Sequence, residues 1–83
     1  MNNGKFMISL IITAFGKDQP GLISSLSGIV NQCDGNIRQS RMLRMGNEFV
    51  MVIFISLSNK KRELLEKKIK QNTNFVIFLH ETA

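Results

Sequence analysis

Two stretches of this chain, Met7 to Phe15 and Phe49 to Leu57, carry bulky apolar side chains at both odd and even positions. In the first, Ile8, Leu10 and Ile12 fill one parity, and Met7, Ile11 and Phe15 the other. In the second, Phe49, Met51, Ile53, Ile55 and Leu57 alternate with Val50, Val52 and Phe54. A strand sends successive side chains to opposite faces, so a strand that is apolar on both belongs in the middle of a sheet. These two central strands set the plan for the rest of the chain. At 83 residues, it suits one domain and leaves little room for a second.

After the first strand, Gly16-Lys17-Asp18-Gln19-Pro20-Gly21 breaks the pattern. Proline suits the first turn of a helix, and Asp18 is placed to cap it. Leu22, Leu26, Ile29, Val30 and Cys33 then recur at helical spacing and form one apolar stripe. Asp34-Gly35 ends that helix, with Gly35 suited to the left-handed conformation. Asn36 to Met45 is extended and half polar, with Arg38, Ser40 and Arg44 against Ile37, Leu43 and Met45, which is an edge-strand pattern. Gly46-Asn47 marks a tight turn, since both residues tolerate positive φ. Asn59 is placed to cap a second helix running to about Gln71, with a narrow stripe of Leu64, Leu65 and Ile69. Asn72-Thr73-Asn74 turns the chain into a last strand, Phe75 to Leu79.

The order β-α-β-β-α-β predicts an α+β, ferredoxin-like sandwich: a four-stranded antiparallel sheet with two helices on one face. The first and third strands take the middle, and the second and fourth the edges. Two helices cover only one face. The other parity of both central strands therefore leaves a second apolar face, the usual mark of a partner.

Composition narrows the function classes. The longest apolar stretch, Phe6 to Phe15, is interrupted by Ser9 and Thr13 and falls far short of the ~20 residues of a membrane span. Lys5 ahead of it mimics a signal peptide only faintly, because no small-x-small cleavage site follows. Cys33 is the only cysteine and His80 the only histidine. No metal site is expected, since a closed zinc site needs four ligands. No nucleophile stands beside a base, so no catalytic residue is named, and no cofactor motif is present. A lone cysteine fits the reducing cytoplasm. Net charge is +5, but six basic residues (Lys60, Lys61, Arg62, Lys67, Lys68, Lys70) share one helical stretch with Glu63 and Glu66. Such a run reads as a solvated face rather than a nucleic-acid surface.

The most informative stretch is Asp18 to Ile23, between a central strand and a helix N-terminus. Free N–H groups and the helix dipole there attract a carboxylate or phosphate. Gly21 leaves the backbone open to a ligand, and Asp18 could meet an ammonium group. The plainer alternative is structural: Asp18 caps, Pro20 starts the helix and Gly21 permits close packing. Asn36 is the second candidate, because an amide offers donors and an acceptor to a zwitterion. Its plainer role is to form a turn.

Asp18-Gln19-Pro20-Gly21-Leu22-Ile23, the helix end Cys33-Asp34-Gly35, Asn36-Ile37, and Gly46-Asn47-Glu48-Phe49 before an apolar strand together resemble the ACT domain family. ACT domains are small-molecule-sensing modules, mostly of amino-acid metabolism. The resemblance spans about Phe6 to His80. Asn36-Ile37 with Ser40-Arg41 and Gly46-x-Glu48-Phe49 is most similar to the glycine cleavage system transcriptional repressor group, whose members carry two tandem ACT domains. It implies a single domain over residues 1–83, either one half of a tandem regulator or a stand-alone member. It also implies a ligand site between two domains, made by Asp18, Pro20, Gly21, Leu22, Ile23, Asn36 and Ile37. Gln19 stands where a basic residue is common in the family.

The expectation is therefore a non-enzymatic, cytoplasmic regulatory domain. It would pair with itself or with a second ACT domain, edge to edge along the second strand or through the open sheet face. It would bind a small amino acid such as glycine or serine and pass that state to a regulatory protein partner. The alternative is an RNA-recognition module, which has the same order of elements. Against Lys/Arg-Gly-Phe/Tyr-Gly/Ala-Phe-Val-x-Phe/Tyr, the segment Met45 to Val52 matches at Gly46, Phe49 and Val50. Asn47 stands where a stacking ring is needed, and Ile8, Leu10 and Ile12 cannot stack bases.

Overall fold

The computed structural model describes residues 6–17, 21–72 and 75–82, and only the backbone at Leu22, Ile23 and Asn72. The elements are β1 (Met7–Lys17), α1 (Leu22–Gln32), β2 (Asn36–Met45), β3 (Glu48–Ser58), a 3₁₀ turn (Asn59–Lys61), α2 (Arg62–Asn72) and β4 (Val76–Thr82). The strands form one antiparallel sheet in the order β2-β3-β1-β4. The two strands that are apolar on both parities do lie in the middle.

The helices cover one face. Leu10, Ile12 and Ala14 of β1 and Met51, Ile53, Ile55 and Leu57 of β3 are buried there. They form one core with Leu26, Ile29, Val30 and Cys33 of α1 and with Leu65 and Ile69 of α2. The stripe of α2 is narrower than its sequence suggested. Leu65 and Ile69 are buried, four residues apart on one face, whereas Leu64 points outward.

Three local expectations change, and the expected Gly46-Asn47 turn forms. The left-handed residue closing α1 is Asp34 (φ 59°), not Gly35. The N–H of Gly35 donates to the Val30 carbonyl at 2.9 Å and that of Asp34 to the Asn31 carbonyl at 3.0 Å. This is the Schellman pattern, with aspartate in the position usually held by glycine. Aspartate tolerates that conformation, while Gly35 is needed for space: a Cβ there would stand 2.8 Å from Val30 Cγ1. In the β2–β3 hairpin only Gly46 takes positive φ, at 63°, and Asn47 does not. A two-residue loop with positive φ at its first position alone is the II′ form. Asn59 does not cap α2; it opens the 3₁₀ turn, and α2 begins at Arg62. The last change is the largest. The register of β2 slips between Ile37 and Gln39, so Arg38 is an extra residue in a bulge. A bulge exchanges the faces on either side of it. Ile37 therefore faces the helices with Met42, while Leu43 and Met45 go to the open face.

Two ties hold the shell. The Arg62 guanidinium donates to Glu66 Oε2 at 3.2 Å and to Glu81 Oε1 at 2.6 Å, joining the start of α2 to β4. Lys61 Nζ lies 3.6 Å from Asp34 Oδ2, joining the end of α1 to the 3₁₀ turn. Phe75 packs on the core beside Gly16, where an added Cβ would land inside its ring.

Candidate functional site

The two halves of the expected ligand site sit at opposite ends of the sheet. Asn36 pairs with Ser56, and Ser56 with Ser9, near the start of β1. The turn into α1 follows Lys17, at the other end of β1. Eight residues of strand separate these levels, roughly 26 Å at ~3.3 Å per residue. Asn36 and the end of β1 are thus too far apart to meet one small ligand within one copy.

At the first end, the backbone has the expected opening. Gly21 is the N-cap of α1, in the left-handed conformation at φ 81° and ψ 6°. Its carbonyl accepts the first helical bond, from the Ser25 N–H at 2.8 Å. No side chain of α1's first turn is acidic, and among the described residues no side-chain hydrogen bond caps the helix. The early N–H groups of a helix have no intrahelical acceptor, so an anion is favoured here. Among the described residues, a Cβ on Gly21 would meet nothing within 4 Å. Its positive φ is one that glycine adopts at no steric cost. Asp18, Gln19 and Pro20 lie outside the described residues, as do the side chains of Leu22 and Ile23.

At the other end, Asn36 is exposed on the sheet edge, and Ile37 is half-buried against the core. Ser56, directly across from Asn36, is the one buried polar residue among those described. The Asn36 side chain thus has the solvent access that a ligand contact requires, which Ile37 largely lacks.

Two hollows were not foreseen in residue detail. One, of about 320 Å³, opens between α1 and the β2 edge, with Ser27, Ser40 and Arg41 around Ile37, Met42 and Met51. The other, of about 500 Å³, is a shallow groove on the open face over Ile11, Val50, Val52 and Phe54, walled by Leu43 and Arg41. The bulge in β2 sets both walls, and nothing in the alternation of residues 36–45 announces a bulge.

Cys33 is fully buried, and burial pushes its thiol pKa up, with Lys68 and Lys61 opposing more weakly. A thiol held protonated in this way is a packing group, not a nucleophile. The RNA-recognition pattern also loses its support. Phe49, the aromatic that matched, packs toward the helix side with Arg44 over its ring at 5.0 Å. Ile8, Leu10 and Ile12 face the helices as well. Among the described residues no helix is long and apolar enough to cross a membrane.

Comparison with known proteins agrees with this fold. Residues 9–75 match the model of a family described as the ACT domain. The chain belongs to the ACT domain family. This ACT domain is 35% identical over 60 residues to the glycine cleavage system transcriptional repressor of Escherichia coli, covering 72% of the chain and 32% of that protein. A solved structure assigned as a glycine cleavage system transcriptional repressor superposes with a TM-score of 0.85 at 28% identity, over 95% of this chain and 48% of that one. An ACT domain protein from Streptococcus pneumoniae superposes at 0.72 with 24% identity and 89% coverage of both chains; that likeness shows the fold alone. The chain thus spans about a third of the E. coli repressor and about half of the solved one. It is a regulatory-family domain similar to part of these proteins.

Proposed function

We propose that this ACT domain is a non-enzymatic, cytoplasmic regulatory module that pairs with a like domain along β2 and holds a small amino acid at the seam. The observation that carries the reading is the placement of Asn36 and the turn before α1 at opposite ends of the sheet. Two β2 edges paired antiparallel bring Asn36 of one copy to the end where the other copy turns into α1. The site is then completed only by pairing, which couples ligand to assembly. The carboxylate meets the N–H groups at Gly21 to Ile23, and the ammonium meets Asp18 or the Asn36 amide oxygen. Glycine and serine fit a site without a large side-chain recess. The partner domain is either a second copy or the other half of a tandem regulator, and the paired state is what a regulatory protein would read.

A ligand that binds only the paired form stabilises it by RT ln(1 + [L]/Kd), about 2.7 kcal/mol at a hundredfold excess over Kd. A thermal-melt screen of the common amino acids should show an upward shift for one or two of them. Asn36→Ala should remove that shift and leave the unliganded melt within ~0.5 kcal/mol, since Asn36 is exposed. If no amino acid shifts the melt, or if Asn36→Ala retains the shift, the module pairs without sensing.

A further inference from the structure

The open face of the sheet is built in rows whose members can be read from the strand register. Across β2, β3, β1 and β4, one row is Leu43, Val50, Phe15, Val76. The next is Arg41, Val52, Thr13, Phe78, and the third is Gln39, Phe54, Ile11, His80. Six of the eight exposed large hydrophobic side chains among the described residues (Met7, Leu43, Met45, Val52, Val76, Phe78) project from this face. Phe78 is 59% exposed although its ring stands 5.8 Å from that of Phe15. No described element of the chain covers these rows.

We infer that the open face packs against the same face of a second copy, about a twofold axis that runs along the strands between β1 and β3. That axis maps each row onto itself and exchanges β3 with β1 and β2 with β4. Val50 then lies over the partner's Phe15, and Phe54 over the partner's Ile11. Arg41 lies over the partner's Phe78, a cation on an aromatic ring. At one end of the face Glu48 and Lys17 pair across neighbouring strands, so the axis places Glu48 of each copy over the partner's Lys17. At the other end, the polar row Asn36, Ser56, Ser9, Thr82 meets itself. Apolar side chains meet in the middle of the first and third rows, Val52 meets the partner's Thr13, Gln39 meets the partner's His80, and opposite charges meet at the rim. An isologous contact requires this self-complementarity.

The size also suits a second copy. Four strands ~4.8 Å apart and ~30 Å long present roughly 570 Å² of projected face. Two copies then bury roughly 1,150 Å² or more, above the ~1,000 Å² that a specific interface needs. Sheets stacked in this way lie ~10 Å apart with strands within ~30° of each other, which keeps the central rows in register. This surface is separate from the outer edge of β2. A copy can hold one neighbour edge to edge and another face to face.

Sedimentation of the full chain at micromolar concentration, with Val52→Glu, Phe78→Glu and the edge variant Arg38→Glu, tests it. Both face variants should weaken self-association at least ~10-fold, and Arg38→Glu should spare the face contact. An association that both face variants leave intact would overturn the face contact and leave the edge pairing standing. A wild-type chain that stays monomeric would overturn both. Should either face variant fail to fold, dilution of the wild-type chain followed by NMR of the Ile11, Val50 and Val52 methyl groups decides: shifts on dilution support the contact, and constant shifts overturn it. Carbodiimide coupling of a mixture of ¹⁵N-labelled and unlabelled copies reads the axis. Glu48–Lys17 cross-links joining one labelled and one unlabelled peptide are expected, and cross-links only within one label would overturn this orientation.

Discussion

The two faces of this sheet are made by the same strands and both carry apolar side chains, yet they differ in fate. On one, Leu10, Ile12, Ile55 and Leu57 are fully buried beneath α1 and α2. On the other, Val52 is 38% exposed and Val76 53%. Strand composition reports only that a face wants cover. Which face receives it depends on where the two connecting helices cross, and both cross on the same side. The uncovered face therefore keeps its apolar side chains in solvent without any loss to the core beneath the helices.

The sharpest way to break the comparison is to cut the same kind of side chain from each face. Leu10→Ala, beneath the helices, should cost about 2–5 kcal/mol, a large share of the stability of so small a domain. Val52→Ala, on the open face, should change the melt of the unassociated chain by no more than ~0.5 kcal/mol. Equal losses, measured by urea unfolding at low protein concentration, would show that the open face is covered within one copy. A smaller effect is expected at the end of β1. Gly16→Ala should cost about 1–3 kcal/mol, because the new methyl overlaps the Phe75 ring, and trimming that ring with Phe75→Leu should recover part of the loss. Smaller again is the tie between α2 and β4. Arg62→Ala removes both ion pairs, but the Arg62, Glu66 and Glu81 side chains are each about a third or more exposed. The loss should be about 0–1 kcal/mol and should fade in high salt.

Cysteine labelling sharpens the comparison without any mutation. Cys33 belongs to the covered side, where burial raises its thiol pKa. Its thiolate fraction near neutral pH is accordingly below that of a free thiol. A thiol reagent should modify Cys33 only as fast as the core opens, and the rate should follow denaturant concentration. Rapid labelling of the native chain would mean that α1 does not seal this face.

Much of the fold was legible from particular residues. The double parity of Met7 to Phe15 and of Phe49 to Leu57 placed β1 and β3 in the middle, and the polar alternation of residues 36–45 placed β2 at an edge. The change to helical spacing after Gly21 located α1. What could not be read were choices among locally similar options. Asp34 and Gly35 both tolerate the left-handed conformation, and the close approach of Val30 decided which residue adopts it. Leu64 and Leu65 are equally apolar, and only the direction of α2 against the sheet buries one of them. The bulge at Arg38 leaves no mark in the alternation, although it reverses which side Leu43 and Met45 face.

The candidate site divides in the same way. The residue types at Gly21 and Asn36 already implied an anion-binding turn and an exposed amide. Their separation across the sheet was not implied, since they stand only fifteen positions apart in the chain and α1 returns the chain to the far end of the sheet between them. By itself the sequence determined the order of elements, the central strands and the existence of a second apolar face, because each follows from the period of side chains along a local stretch. The tertiary structure alone decided which face stays open, which residues share its rows and that Gly21 and Asn36 lie toward opposite ends of the sheet, because these depend on register and on the crossing of helices over the sheet, contacts between segments distant in the chain.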